Sequence, residues 1–84
     1  MNIDEQGGIG WAVKHLLDGY TVARRGWNGR GMFLYYVGPK EPFLGFAVMV
    51  TVQGDHVPWL CSQTDLFATD WQIVNGPEVM NPIA

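Results

Sequence analysis

Apolar side chains near the start of the chain recur with the period of a helix. They stand at i, i+4, i+7 and i+8 and comprise Ile9, Val13, Leu16 and Leu17. This spacing predicts an amphipathic helix of about three turns that buries these four side chains. Gly19 follows the last of them, and we expect it to end the helix in a left-handed conformation.

The pattern changes after Gly19 to short runs of β-branched and aromatic residues separated by glycine and proline turns. We predict strands over residues 20–25, 32–37, 46–52, 57–60 and 71–74, and one short helical turn over 64–68. Short turns favour antiparallel pairing. The expected fold class is therefore α+β: a small, mostly antiparallel sheet with one N-terminal amphipathic helix packed on it, oligomeric.

Composition adds the expectation of association to this fold. The 84 residues are 48% hydrophobic and only 15% charged, which is more apolar material than one small domain hides easily. We predict a single domain over 1–84, with a core of about 9–74 and an irregular tail over 76–84. Because the strands over 32–37 and 46–52 need more cover than one helix gives, we expect a homotetramer built from dimers.

Charge limits the class of partner. A net charge of −3 with five Lys and Arg residues argues against binding long DNA or RNA. Three of those five cations, Arg24, Arg25 and Arg30, fall within seven positions, which suits a small anionic ligand. The acidic N-terminus and the lack of a long apolar run predict no signal peptide and no membrane partner. Together with the single cysteine, Cys61, these features predict that the protein is located in the reducing cytoplasm.

The segment 24–31, Arg-Arg-Gly-Trp-Asn-Gly-Arg-Gly, combines the parts of a nucleotide site. An indole stacks on a base, guanidinium groups hold phosphate oxygens, an Asn amide reads a base edge, and glycines let backbone amides approach an anion. The alternative is structural: a hairpin turn at its Asn–Gly pair, Trp27 as core, and Arg24 in an internal ion pair with Asp65 or Asp70. Residue types alone support both interpretations equally.

A second aromatic and polar cluster occupies residues 57–65 and continues at 70–71. The chain has four tryptophans, and with Trp11 assigned to the core or an interface, Trp27, Trp59 and Trp71 remain as pocket walls.

Catalytic side chains are few. His15, on the polar side of the predicted helix, and His56, after a turn, are expected at the surface, and Cys61 is expected to be a small buried hydrophobe. Asp65 and Asp70 could serve a hydrolase, although capping and turn formation are the favoured interpretation. The histidine and cysteine spacings offer no metal site, and no cofactor is predicted.

These motifs identify a family. The runs Val-Ala-Arg-Arg-Gly-Trp-Asn-Gly-Arg-Gly-Met-Phe-Leu (22–34), Val-Pro-Trp-Leu-Cys-Ser-Gln-Thr-Asp-Leu (57–66) and Asp-Trp-Gln-Ile-Val (70–74) closely resemble the phage Thoeris anti-defence two family. The resemblance covers about 9–74. It implies a homotetrameric, non-catalytic sponge that sequesters the glycocyclic ADP-ribose signal of Thoeris immunity, with some members also holding cyclic dinucleotides of CBASS immunity.

The leading hypothesis is therefore a cytoplasmic protein that binds a cyclic nucleotide signal without cleaving it. The alternatives are a phosphodiesterase or glycohydrolase that uses Asp65 or Asp70, and an inhibitor that binds another protein through aromatic patches. The predicted ligand-binding residues are Arg24, Arg25, Trp27, Asn28, Gly29, Arg30, Trp59, Ser62, Gln63, Asp65 and Trp71.

Overall fold

The computed structural model describes residues 6–27 and 31–76. In chain order, the elements are β1 (Gln6–Gly7), α1 (Ile9–Leu17), β2 (Thr21–Arg24), β3 (Phe33–Val37), β4 (Phe46–Val50), β5 (His56–Pro58), α2 (Gln63–Leu66) and β6 (Trp71–Asn75). The six strands form one sheet in the order β1-β6-β2-β3-β4-β5. Every pair of neighbours in it is antiparallel.

The expected α+β class with a single packed helix is wrong. The described chain is mostly sheet, with six antiparallel strands and two short helices of nine and four residues. The second helix forms because the Ser62 hydroxyl accepts a hydrogen bond from the Asp65 backbone N–H at 3.0 Å, which caps its first turn. The extra strand, β1, lies beside β6, where Gly7 is opposite Trp71. The oligomeric state stays a prediction.

Helix α1 ends as the sequence predicts. Gly19 has a φ of 98°, the left-handed conformation expected of it. Its backbone N–H donates to Leu16 O at 3.0 Å, and the N–H of Tyr20 donates to His15 O at 2.9 Å. This pair of bonds is the Schellman arrangement, and it leads the chain directly into β2.

The buried face of α1 differs from the predicted one. Ala12, His15 and Leu16 are buried, whereas Val13 is exposed and Leu17 is 58% exposed. Burial of the imidazole is tolerated because His15 Nδ1 lies 2.8 Å from Trp11 O, which satisfies that nitrogen within the helix. The ring also lies 4.2 Å from the Trp11 ring, centroid to centroid. The prediction of a solvated His15 is therefore wrong.

Two apolar clusters lie on opposite faces of the sheet, because neighbouring residues of a strand point to opposite sides. Leu34 of β3 belongs to the cluster under α1, while Tyr35 belongs to the other cluster, with Val48 and Val50 of β4. The cluster under α1 consists of Ala12, Leu16, Val22, Leu34 and Trp71.

The far edge of the sheet is β5, which spans His56–Pro58 rather than the predicted 57–60. Pro58 is the last residue of this edge strand, a position where its missing N–H is tolerated. Towards the opposite edge of the sheet, β2 pairs with β6, and Arg24 lies opposite Trp71. The Arg25 N–H then donates to Asp70 O at 3.0 Å, so the end of β2 and the start of β6 are joined. This junction positions the candidate site.

Within residues 6–27 and 31–76, no helix is long and apolar enough to cross a membrane.

Candidate functional site

Arg24 forms two ion pairs that join three segments distant in the sequence. Its Nε donates to Asp70 Oδ1 at 2.8 Å, and its Nη1 donates to Asp65 Oδ1 at 2.9 Å. Only 15% of the Arg24 side chain and 11% of the Asp65 side chain are exposed. The structural interpretation of Arg24 is thus confirmed, and it involves both carboxylates rather than one. We call Arg24, Asp65 and Asp70 the arginine–carboxylate cluster.

The electrostatics of this cluster keep all three groups charged. Burial alone would raise the pKa of Asp65, but hydrogen bonds from Arg24 and Trp27 outweigh it and hold that pKa below its ordinary value. The hydrogen bond from Arg24 likewise lowers the pKa of Asp70, and its bonds with Asp70 and Asp65 raise the pKa of Arg24. One cation and two anions leave the cluster with a net charge of −1.

Trp27 is attached to this cluster directly after the turn at Gly26. Its indole Nε1–H donates to Asp65 Oδ1 at 3.1 Å, so one carboxylate oxygen holds both Arg24 and Trp27. The Trp27 ring meets Trp71 edge to face, with centroids 5.4 Å apart and planes at 80°. Its side chain is only partly buried, so it can meet a ligand.

Trp71 and Trp59 extend the aromatic group behind Trp27. Trp71 is fully buried at 0% exposure and donates its indole N–H to Asp65 O at 3.2 Å. Trp59 packs edge to face on Trp71 with centroids 5.8 Å apart. These three indoles form the tryptophan cluster. Because Trp71 is covered, we expect Trp27 and Trp59 to present the aromatic surface.

The Trp59 indole N–H is buried and has no hydrogen-bond partner in the part of the chain that the structure describes. An unpaired buried donor costs about 1–3 kcal/mol of stability. An acceptor atom brought by a ligand or a second subunit would remove that cost.

Asp70 also fixes the backbone of the turn that carries Trp27. Its Oδ2 accepts the Gly26 N–H at 2.8 Å, and the Trp27 N–H donates to Arg24 O at 3.2 Å. A Cβ at position 26 would lie 3.0 Å from Asp70 Oδ2 and 3.1 Å from Arg24 Nη2. Glycine therefore lets the turn close tightly on the arginine–carboxylate cluster.

The remaining predicted ligand residues have different positions. Ser62 caps α2, and Gln63 is the exposed first residue of that helix. Arg25 is exposed and lies beside Gln72 rather than in the arginine–carboxylate cluster. The predicted contacts of Asn28, Gly29 and Arg30 lie outside the described residues. Whether any of these residues binds a ligand stays a prediction.

Sequence reasoning missed Gln72. Pairing places Gln72 opposite Ala23, and Arg25 follows Ala23 by two residues, directly after the end of β2, where its guanidinium reaches the Gln72 amide oxygen. The strand alternation could have revealed this neighbour, but an uncharged amide gives no signal in a search for ion pairs.

The groups considered for catalysis also have defined surroundings. Cys61 is exposed, so its predicted burial is wrong, and partial desolvation together with the charge of Asp65 raises the pKa of the thiol. His56 is exposed as predicted, and its Nδ1 lies 2.8 Å from the Tyr35 hydroxyl. Among the described residues, no three His, Cys, Asp or Glu side chains gather as metal ligands would.

Comparison with known protein families assigns this chain to the phage anti-defence class. Residues 7–74, which include both the arginine–carboxylate and the tryptophan clusters, match the Tad2-like family model, described as the Thoeris anti-defense 2-like domain. The chain is a member of that family, and the resemblance found in the motifs is confirmed. Thoeris anti-defense 2 of Bacillus phage SP01 is 32% identical over 83 residues, which covers 80% of this chain and 93% of that protein.

Proposed function

We propose that this anti-defence protein acts in the host cytoplasm by binding a cyclic nucleotide immune signal and holding it intact. Glycocyclic ADP-ribose of the Thoeris system is the first ligand to test, and cyclic dinucleotides of CBASS immunity are the second. The observation that carries the proposal is Trp27, a partly exposed indole fixed by Asp65 and by Trp71 beside a glycine turn.

The fixed position of Trp27 supports binding of a base. An indole that is already ordered loses little conformational entropy when a ligand stacks on it. Stacking on an aromatic side chain contributes about 1–3 kcal/mol per base and tolerates different bases. Trp59, which packs on the same buried Trp71, would add a second aromatic surface.

The state of the two carboxylates favours binding over hydrolysis. Asp65 and Asp70 both accept hydrogen bonds from Arg24, and the pKa of each is lowered. A general acid must carry a proton near neutral pH, which the lowered pKa values disfavour. A general base or nucleophile needs a free oxygen, whereas Asp65 Oδ1 and both oxygens of Asp70 already accept hydrogen bonds from the protein. We therefore propose that the protein is not an enzyme and needs no cofactor.

Exposed apolar side chains support association into the proposed homotetramer. Leu60 is 88% exposed, and Phe67, Leu44 and Phe43 are also largely exposed. Burial of such residues between subunits would remove apolar area from water and could enclose a dry pocket. The same residues are the observation that favours the second candidate, an inhibitor that binds another protein.

One experiment separates these functions. The protein is incubated with glycocyclic ADP-ribose, freed of unbound nucleotide and denatured by heat, and the supernatant is analysed by mass spectrometry. Intact released nucleotide supports sequestration, and a cleaved product indicates an enzyme. If neither this nucleotide nor a cyclic dinucleotide is taken up, the proposal is wrong and the protein-inhibitor function is favoured.

Trp27→Ala tests the residue on which the proposal rests. We expect a loss of about 1–3 kcal/mol in binding, measured by calorimetry, because the stacking surface is removed. Trp27→Phe is the conservative control, and it should retain part of the affinity because an aromatic face remains. Unchanged affinity in Trp27→Ala would place the binding surface elsewhere.

A further inference from the structure

We infer that Arg25 is the anion-binding arginine of the Arg-Arg pair and that Gln72 is the residue that positions it. The inference rests on the proposed function, and it names the cation that would hold a phosphate oxygen of the ligand. It starts from the different surroundings of two arginines that are neighbours in the sequence.

Arg24 has little positive charge to offer a ligand. Its guanidinium contacts two carboxylates at 2.8 and 2.9 Å, and the arginine–carboxylate cluster carries a net charge of −1. A phosphate approaching Arg24 would also approach Asp65 and Asp70. Repulsion from the two carboxylates would therefore offset the attraction of the guanidinium.

Arg25 differs from Arg24 in its ion-pair partners. Ion pairs within the described residues involve Lys14 and Arg24, and Arg25 is in none of them. Its backbone is nevertheless fixed, because the Arg25 N–H donates to Asp70 O at 3.0 Å. A charged side chain that is exposed on a fixed backbone is suited to hold an anion.

Gln72 orients that guanidinium without neutralising it. With its amide oxygen toward Arg25, Gln72 accepts from Nε at 3.2 Å and from Nη2 at 2.9 Å. The opposite orientation offers only a 3.5 Å bond to Gln6 and turns the amide N–H groups toward a cation, so the two bonds from Arg25 decide the orientation. They leave Nη1 of Arg25 for a phosphate oxygen.

A charge substitution separates positioning from scaffolding. Gln72→Glu keeps the shape and the two acceptor contacts but neutralises Arg25, so we expect glycocyclic ADP-ribose to bind about ten- to hundred-fold more weakly. The melting temperature should stay the same or rise, because an ion pair replaces a neutral contact. Gln53→Glu adds the same charge at an exposed turn and serves as the matched control. Equal binding by Gln72→Glu and the native protein, or an equal loss in Gln53→Glu, would overturn the inference.

A titration with inorganic pyrophosphate tests the anion contact independently of the nucleotide. The NMR signal of Arg25 Nε–H, assigned by its loss in Arg25→Lys, should shift on addition of pyrophosphate, whereas the Arg24 signal should not. A shift confined to Arg24, or no shift, contradicts the inference. If pyrophosphate shifts Arg25 but no nucleotide binds, the proposed function is wrong and the anion site stands.

Discussion

On the α1 face of the sheet, the arginine–carboxylate cluster links the end of β2 to α2 and the start of β6 through charged hydrogen bonds. On the opposite face, Tyr35, Val48 and Val50 are buried by packing between neighbouring strands. Charged hydrogen bonds fix distances and angles, whereas apolar packing is not directional. The difference indicates that the buried side chains of the first face are held by directional bonds, whereas the buried cluster of the second face mainly stabilises the sheet by apolar packing.

Asp65→Ala should have the largest effect on stability, because it removes directional hydrogen bonds from the α1 face of the sheet. It removes an acceptor of Arg24 and of the Trp27 indole, leaving a largely buried guanidinium with one carboxylate. We expect a loss of about 3–5 kcal/mol in the free energy of unfolding, measured by denaturant titration. Asp18→Ala, at an exposed ion pair with Lys14, is the control and should change stability little. A loss below about 1 kcal/mol for Asp65→Ala would contradict the role given to this carboxylate.

Val48→Ala should weaken only the apolar cluster on the face opposite α1, and it therefore tests whether the two faces are independent. Val48 is 3% exposed, and removal of two buried carbons is expected to cost about 2 kcal/mol of unfolding free energy. The near-ultraviolet circular dichroism of the tryptophan cluster should not change, because that cluster lies on the other face. Val74→Ala, at an exposed valine, is the matched control. A changed tryptophan signal in Val48→Ala would show that the two faces are coupled.

Acid should weaken the arginine–carboxylate cluster on the α1 face more than the apolar cluster on the opposite face. The pKa values of Asp65 and Asp70 are below the ordinary 3.8, so their contribution to stability is present above that pH and is lost as pH falls toward the lowered values. We therefore expect the unfolding free energy to fall steeply below about pH 4. Asp70→Asn should be less stable at neutral pH and should lose less on acidification. A variant with the same acid dependence as the native protein would exclude Asp70 as a source of it.

Cys61→Ala should have the smallest effect, because the thiol is exposed and belongs to neither face. We expect stability within about 0.5 kcal/mol of the native value and unchanged nucleotide binding. Complete loss of activity in the folded variant would instead support the enzyme alternative.

Features set by local chemistry could be predicted from the sequence. Gly19 ends α1 because a left-handed residue after a helix is a local requirement. The partners of Arg24 could be narrowed to Asp65 and Asp70, because few carboxylates lie among the aromatic motifs. The choice between an ion pair and a ligand contact could not be made, because it depends on the distance between three segments.

Features set by tertiary contact could not be predicted. His15 is polar and is expected on the solvent face, yet one hydrogen bond to Trp11 O makes its burial acceptable. β1 contains two residues, too few for any periodic signal. Its position depends on a close tertiary contact, because a Cβ at Gly7 would lie only 2.7 Å from Trp11 Cγ. The pairing of Arg25 with Gln72 was hidden because amides do not appear in charge patterns.

The two edges of the sheet bear on how much of this protein a cell can hold in solution. Under the proposed function the protein would act mole for mole on its ligand, so it would have to accumulate without its sheets adding to one another. One edge strand, β1, is only two residues long, and the other, β5, contains Pro58, which has no N–H to donate to an incoming strand. Short edges and edge prolines oppose open-ended strand addition. The architecture is therefore compatible with the high concentration that stoichiometric capture requires.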